Sequence, residues 1–177
     1  MNQILLIFGP SGVGKSTLAD KILRELNFLH FNYDYWDLKG IKGEDLGIKL
    51  SEYFLGYQPE LLRSLIEKRL TEKQGAVLTF PSIIIPAVTH IKEAQLFGIT
   101  TLILYGSAKN CLNSFIAREK KIGRNLSPTH WYMYNNHIYN GSSLKPEHIP
   151  FIINAFQGKK RRSDKSLMKI VRERLGL

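Results

Sequence analysis

Residues Gly9-Pro10-Ser11-Gly12-Val13-Gly14-Lys15-Ser16 spell G-x-x-x-x-G-K-S, with Thr17 next. The chemistry of that spacing is the capture of phosphate. Glycines let successive backbone N–H groups curl around phosphate oxygens without Cβ clashes. A helix opening directly after them adds the positive end of its dipole. Lys15 then neutralises the β- and γ-phosphates of a nucleoside triphosphate, and the Ser16 hydroxyl is a ligand for Mg²⁺. Gly9, Pro10, Ser11, Gly12, Val13, Gly14, Lys15, Ser16 and Thr17 are therefore the expected nucleotide-binding residues, with ATP and Mg²⁺ as the expected cofactors.

The motif needs a strand before it and a helix after it. Ile4-Leu5-Leu6-Ile7-Phe8 is an apolar run of the buried-strand type, and Leu18, Ile22, Leu23 and Leu26 recur at helical spacing. Further along, strand and helix patterns alternate. Strands are expected at Gln3–Phe8, Phe28–Tyr33, Ala76–Phe80, Thr100–Tyr105 and Ile149–Ala155. Helices are expected near Lys15–Leu26, from Pro59, near Ala87–Phe97, near Lys109–Lys121, from Pro128 behind the cap Ser127, and after the cap Ser163. Five strands alternating with helices predict a parallel sheet covered on both faces, a three-layer α/β/α fold.

The chain has 177 residues, 44% of them hydrophobic, which fits one domain with a real core. No apolar run approaches the ~20 residues of a membrane helix. No basic stretch with an apolar signal region precedes the motif, and Cys111 is alone, so a reducing, cytoplasmic setting is expected. Cys111 reads as an inert helical residue. The formal charge of +10 suits polyanions, which include nucleotides as well as RNA. Its densest basic segment is Lys159-Lys160-Arg161-Arg162, read as a solvated loop or as phosphate, adenine-loop or RNA contacts. His130 and His137 lie seven apart, without the further ligands a zinc site requires.

Many phosphate-loop ATPases carry an acid at the end of a neighbouring strand. Here the later strands run into Phe80-Pro81-Ser82, Tyr105-Gly106-Ser107 and Asn154-Ala155-Phe156, and none supplies one. An N-K-x-D guanine motif is also missing. The acid that directly follows a strand pattern is Asp34. It is a candidate to accept the proton of an attacking hydroxyl, or to hold the acceptor and a magnesium-bound water. Asp37 reads as a cap or solvated residue. Aromatic residues gather after Asp34 (Tyr35, Trp36, Tyr53, Phe54, Tyr57) and again at Trp131, Tyr132 and Tyr134. They read as packing, or as faces on which a base or sugar stacks.

With these residues in hand, the chain resembles the compact P-loop kinases of the nucleoside-monophosphate, shikimate and gluconate kinase group. The resemblance is specific at Gly9–Thr17 and follows element order over nearly the full length. It implies a five-stranded P-loop NTPase fold with a helical lid, placed here at about residues 119–147 of a single domain spanning 1–177. The acid-x-acid pair of shikimate kinases matches Asn32-Tyr33-Asp34, with Asn in the first place. Pro81-Ser82-Ile83 stands where those enzymes have glycines, which argues against shikimate as the substrate. By the same resemblance, Arg118 would stack near adenine or touch a phosphate, and Arg124 would close on the γ-phosphoryl group. The implied activity is transfer of the γ-phosphoryl group of ATP to a small-molecule hydroxyl or nucleotide acceptor, with a hydroxyl slightly favoured. Lys15, Asp34 and Arg124 would be the catalytic residues. The alternative is a nucleotide-binding ATPase or switch associated with RNA.

Overall fold

In the computed structural model, residues 2–33 and 58–177 are described. Asp34, Asp37 and the aromatic residues Tyr35, Trp36, Tyr53, Phe54 and Tyr57 lie outside them. The described strands and helices are β1 (Gln3–Phe8), α1 (Lys15–Leu26), β2 (Phe28–Asn32), α2 (Pro59–Glu67), β3 (Gly75–Thr79), α3 (Val88–Leu96), β4 (Ile99–Tyr105), α4 (Ala108–Lys121) and α5 (Pro128–Tyr139). A 3₁₀ turn at Pro146–Phe151 then leads into β5 (Ile152–Asn154). A short antiparallel hairpin follows, β6 (Phe156–Gln157) with β7 (Lys160–Arg161), and α6 (Asp164–Leu175) comes last.

Strands β1 to β5 form one parallel sheet in the order β2-β3-β1-β4-β5. β1 lies at its centre, and Ile4 to Phe8 are completely buried. Successive side chains of a strand point to opposite faces. Leu5 and Ile7 pack with Leu18, Ala19 and Ile22 of α1, Cys111 and Phe115 of α4, Trp131 of α5 and Val171 of α6. Ile4, Leu6 and Phe8 pack with Leu62 and Ile66 of α2 and Ile91 and Ala94 of α3. An uninterrupted apolar strand is what two covered faces demand.

Two sequence expectations are corrected. Ile149–Ala155 is not one strand. Pro146 and Pro150 lie in the 3₁₀ turn that takes its first half, and Pro150, with no N–H, could not donate a ladder hydrogen bond there. Lys159-Lys160-Arg161-Arg162 is not a plain loop, since Lys160 and Arg161 pair back onto Gln157 and Phe156. Serine caps appear where expected at Ser127 and Ser163, and Ser107 adds one before α4.

A polar chain crosses the sheet beside β2. Asp20 of α1 pairs with His30 Nδ1 at 3.3 Å, His30 Nε2 meets Thr79 Oγ1 at 3.0 Å, and Thr79 Oγ1 donates to Asn32 Oδ1 at 3.2 Å. Burial holds the His30 imidazole below its usual pKa of 6.5, with Asp20 pulling the other way. The folded-state pKa is thus below the unfolded one, so the unfolded chain takes up the proton first as pH falls. This part of the stability is present above pH 6.5 and is lost as pH drops through the folded value. His30→Asn should flatten the fall in Tm on going from about pH 7 to 5 relative to the wild type, read by calorimetry. Equal slopes would assign the acid sensitivity elsewhere.

Candidate active site

The phosphate motif forms the turn from β1 into α1, at the carboxyl ends of the parallel strands, where α/β proteins place their ligands. Gly9, Gly12 and Gly14 all have positive φ, at 137°, 82° and 96°. At Gly9 a Cβ would run into the Leu104 carbonyl of β4, and at Gly12 into the Cys111 carbonyl of α4. The loop therefore lies directly on two neighbouring elements.

α4, α5 and α6 each begin at a serine whose side chain accepts an N–H of the first turn. α1 begins at Gly14, with no side-chain cap and no acid in its first turn. Its first helical bond is Leu18 N–H to Gly14 O, so the N–H groups of Lys15, Ser16 and Thr17 have no acceptor within the helix. Lys15 is buried, and its Nζ donates to the carbonyls of Gly9 at 2.9 Å and Pro10 at 3.3 Å. That holds the ammonium over the loop. A glycine-led helix start with a lysine folded across it, and no acid in the helix's first turn, fits a chain of phosphates. Ser16 lies on the first turn, and its hydroxyl fits the role of one Mg²⁺ ligand.

Behind the loop, Phe115 of α4 lies against Gly12. The Arg118 guanidinium sits 5.2 Å from the centre of the Phe115 ring. Arg118 also binds Glu119 Oε1 through Nε at 2.8 Å and Nη2 at 2.6 Å. Arg124 Nη1 lies 3.6 Å from Glu119 Oε2. One buried carboxylate thus gathers both arginines singled out by the sequence, and their own side chains stay more than half exposed. Gly123 between them has φ 79° and open space around it.

Four other residues meet the loop here: Arg161 and Trp131, which lie in segments the sequence singled out without this placement, and Ser82 and Asn135, which it did not single out. The Arg161 guanidinium rests on Gly14, its Nη2 2.9 Å from where a Cβ would stand. Arg161 Nε and Nη2 are buried without a hydrogen-bond partner among the described residues, and Nη1 lies 3.5 Å from Asp164. The basic run at 159–162 was the available signal, but not the turn that folds it back. Ser82, Trp131 and Asn135 touch the loop at Ser11. Their spacing in sequence carries no hint of that meeting. The aromatic residues of α5 divide, with Trp131 buried and Tyr132 and Tyr134 exposed. Cys111 is buried, and burial raises its thiol pKa, as suits an inert residue. Among the described residues no cluster of His, Cys, Asp or Glu could hold a metal ion, and no helix is long and apolar enough to cross a membrane.

Comparison with known proteins places this geometry. The family model "ATPase family associated with various cellular activities (AAA)" matches residues 5–91. An adenylate kinase of Carboxydothermus hydrogenoformans is 30% identical over 128 residues, 68% of this chain and 56% of that enzyme. The chain thus spans little more than half the length of this curated relative. A gluconokinase from Sinorhizobium meliloti is 15% identical over 98% of this chain and 90% of its own, with a TM-score of 0.52. A shikimate kinase from Bacteroides thetaiotaomicron is 16% identical over 99% of both chains, with a TM-score of 0.51. The chain carries a complete phosphate-binding loop on the three-layer fold of the P-loop small-molecule and nucleotide kinases.

Proposed function

We propose that the protein is an ATP-dependent phosphotransferase acting on a hydroxyl of a small molecule. The observation that carries this reading is the glycine-led start of α1, which has no side-chain cap and over which Lys15 Nζ lies on the Gly9 and Pro10 carbonyls. The likeness to an adenylate kinase, a gluconokinase and a shikimate kinase supports a kinase over other phosphate-loop proteins. In this reading the N–H groups of the loop through Thr17 and the Lys15 ammonium hold the phosphates. Mg²⁺, held in part by Ser16, would offset their charge. Arg118, backed by Phe115, would face the adenine or a phosphate, and Arg161 would add a cation beside Gly14. Asp34 would take the proton from the acceptor hydroxyl as its oxygen bonds to the γ-phosphorus and the bond to ADP breaks. The ends of β3, β4 and β5 offer no acid for that task.

Arg124 would leave Glu119 for the γ-phosphoryl group as the segment beyond Gly123, part of the proposed lid at 119–147, closes and excludes water. Arg124→Ala should then lower kcat about tenfold while shifting ATP affinity much less, because the contact forms in the closed state. Equal losses in both would make Arg124 an ordinary binding residue.

The deciding experiment measures ADP release from ATP and Mg²⁺ over a panel of hydroxylated metabolites, nucleosides and nucleoside monophosphates, with RNA as a separate arm. Release that depends on a hydroxylated small molecule is expected. Release stimulated by RNA alone would overturn the reading in favour of an RNA-associated ATPase, for which the +10 charge is the motive.

A further inference from the structure

Both backbone polar groups of one loop residue, Ser11, are held by helix α5. Ser11 N–H donates to Asn135 Oδ1 at 2.7 Å, and Trp131 Nε1–H donates to Ser11 O at 2.9 Å. Asn135 is fixed in turn, since its Nδ2 donates to Trp131 O at 2.7 Å. The Ser11 side chain is occupied as well. Its hydroxyl meets Ser82 Oγ at 3.2 Å, and Ser82 Oγ donates to the Tyr134 carbonyl at 3.3 Å. Trp131 and Asn135 are each 1% exposed, and Ser82 is 4% exposed. The loop, the segment after β3 and one face of α5 therefore meet in a closed polar clasp 120 residues apart in sequence.

We infer that Trp131 and Asn135 are positioning residues that hold the phosphate loop in its binding shape before nucleotide arrives. This rests on the nucleotide-binding reading above. The loop carries three glycines at positive φ, and glycine loses more freedom on ordering than any other residue. Left alone, such a loop would have to be ordered by its ligand, at a cost in affinity. The clasp supplies that order from the protein side. It also makes α5 part of the fixed frame of the site. The motion proposed for residues 119–147 is thereby confined to the stretch before Pro128, which contains Gly123 and Arg124.

A merely structural reading is that the clasp satisfies a buried indole and amide and nothing more. The two readings part on ligand affinity at constant folding. Trp131→Phe keeps the ring and removes the donor to Ser11, and Asn135→Ala removes the acceptor. Each should raise the Kd for ATP with Mg²⁺ about tenfold by calorimetric titration, the effect of about one lost hydrogen bond. Ile138→Val, buried on the same helix, should lower Tm and leave that Kd unchanged. A folded Trp131→Phe protein that binds ATP as the wild type does would overturn the inference. Where the variants fail to fold, hydrogen exchange of the wild type decides. The amides of residues 11–14 should already exchange slowly without ATP, and rapid exchange there that slows only on adding ATP would overturn the inference. A wild type that binds no ATP would instead overturn the proposed function, and the exchange result would still report on the clasp.

Discussion

Lys15→Ala will abolish ATP-dependent turnover, by about 10²- to 10³-fold or more, the scale set by removing one strong donor from a developing phosphoryl charge. The ammonium is already over the loop, bonded to the Gly9 and Pro10 carbonyls. Its removal therefore withdraws positive charge from the place where phosphates would sit and leaves two loop carbonyls without that donor. The second effect costs about 1.5–3 kcal/mol, the range for hydrogen bonds to charged groups. The sheet core is untouched, since no residue of β1 changes its neighbours. Circular dichroism melts should show a folded variant with a lowered Tm, while ATP titration shows binding lost or strongly weakened. Turnover equal to the wild type would remove the phosphate loop from the proposed mechanism.

The largest expected effect on stability belongs to Gly9→Ala. The backbone φ of 137° is one that L side chains rarely adopt, and the added methyl group would meet the Leu104 carbonyl. That carbonyl belongs to β4, which is paired with β1 from Ile4 to Phe8. Relief would require the two central strands to separate next to the loop. Strain and overpacking together should cost more than about 3 kcal/mol, about 6–12 °C in Tm for a chain of this size. Gly123→Ala is the control. Its φ of 79° is also left-handed, but nothing lies within 4 Å of the added Cβ. It should cost only about 1–2 kcal/mol, the backbone penalty alone. Equal melting shifts for the two variants would show that the contact with β4 contributes nothing.

Residue types and local periodicity determined much of this protein. β1 and α1 fall at the expected residues, because an apolar run, a glycine turn and a 3.6-residue repeat are short-range signals. The capping serines at 127 and 163 were legible for the same reason, since a cap acts only on the turn beside it. The phosphate loop carries its chemistry in eight adjacent residues, so the expectation of a phosphate-bearing ligand needed no tertiary information.

The strand order β2-β3-β1-β4-β5 was not legible, because pairing between strands depends on contacts far apart in the chain. Nor was the 3₁₀ turn that replaces the first half of the fifth strand, where two prolines override an apolar pattern. Only the tertiary structure could bring Arg161 onto Gly14 or gather Arg118 and Arg124 on one buried carboxylate. The same holds for Ser11, whose partners at 82, 131 and 135 have no mark in sequence beyond being polar or aromatic. A local motif states which atoms can bind phosphate. Burial and long-range hydrogen bonds decide which other side chains hold those atoms in place.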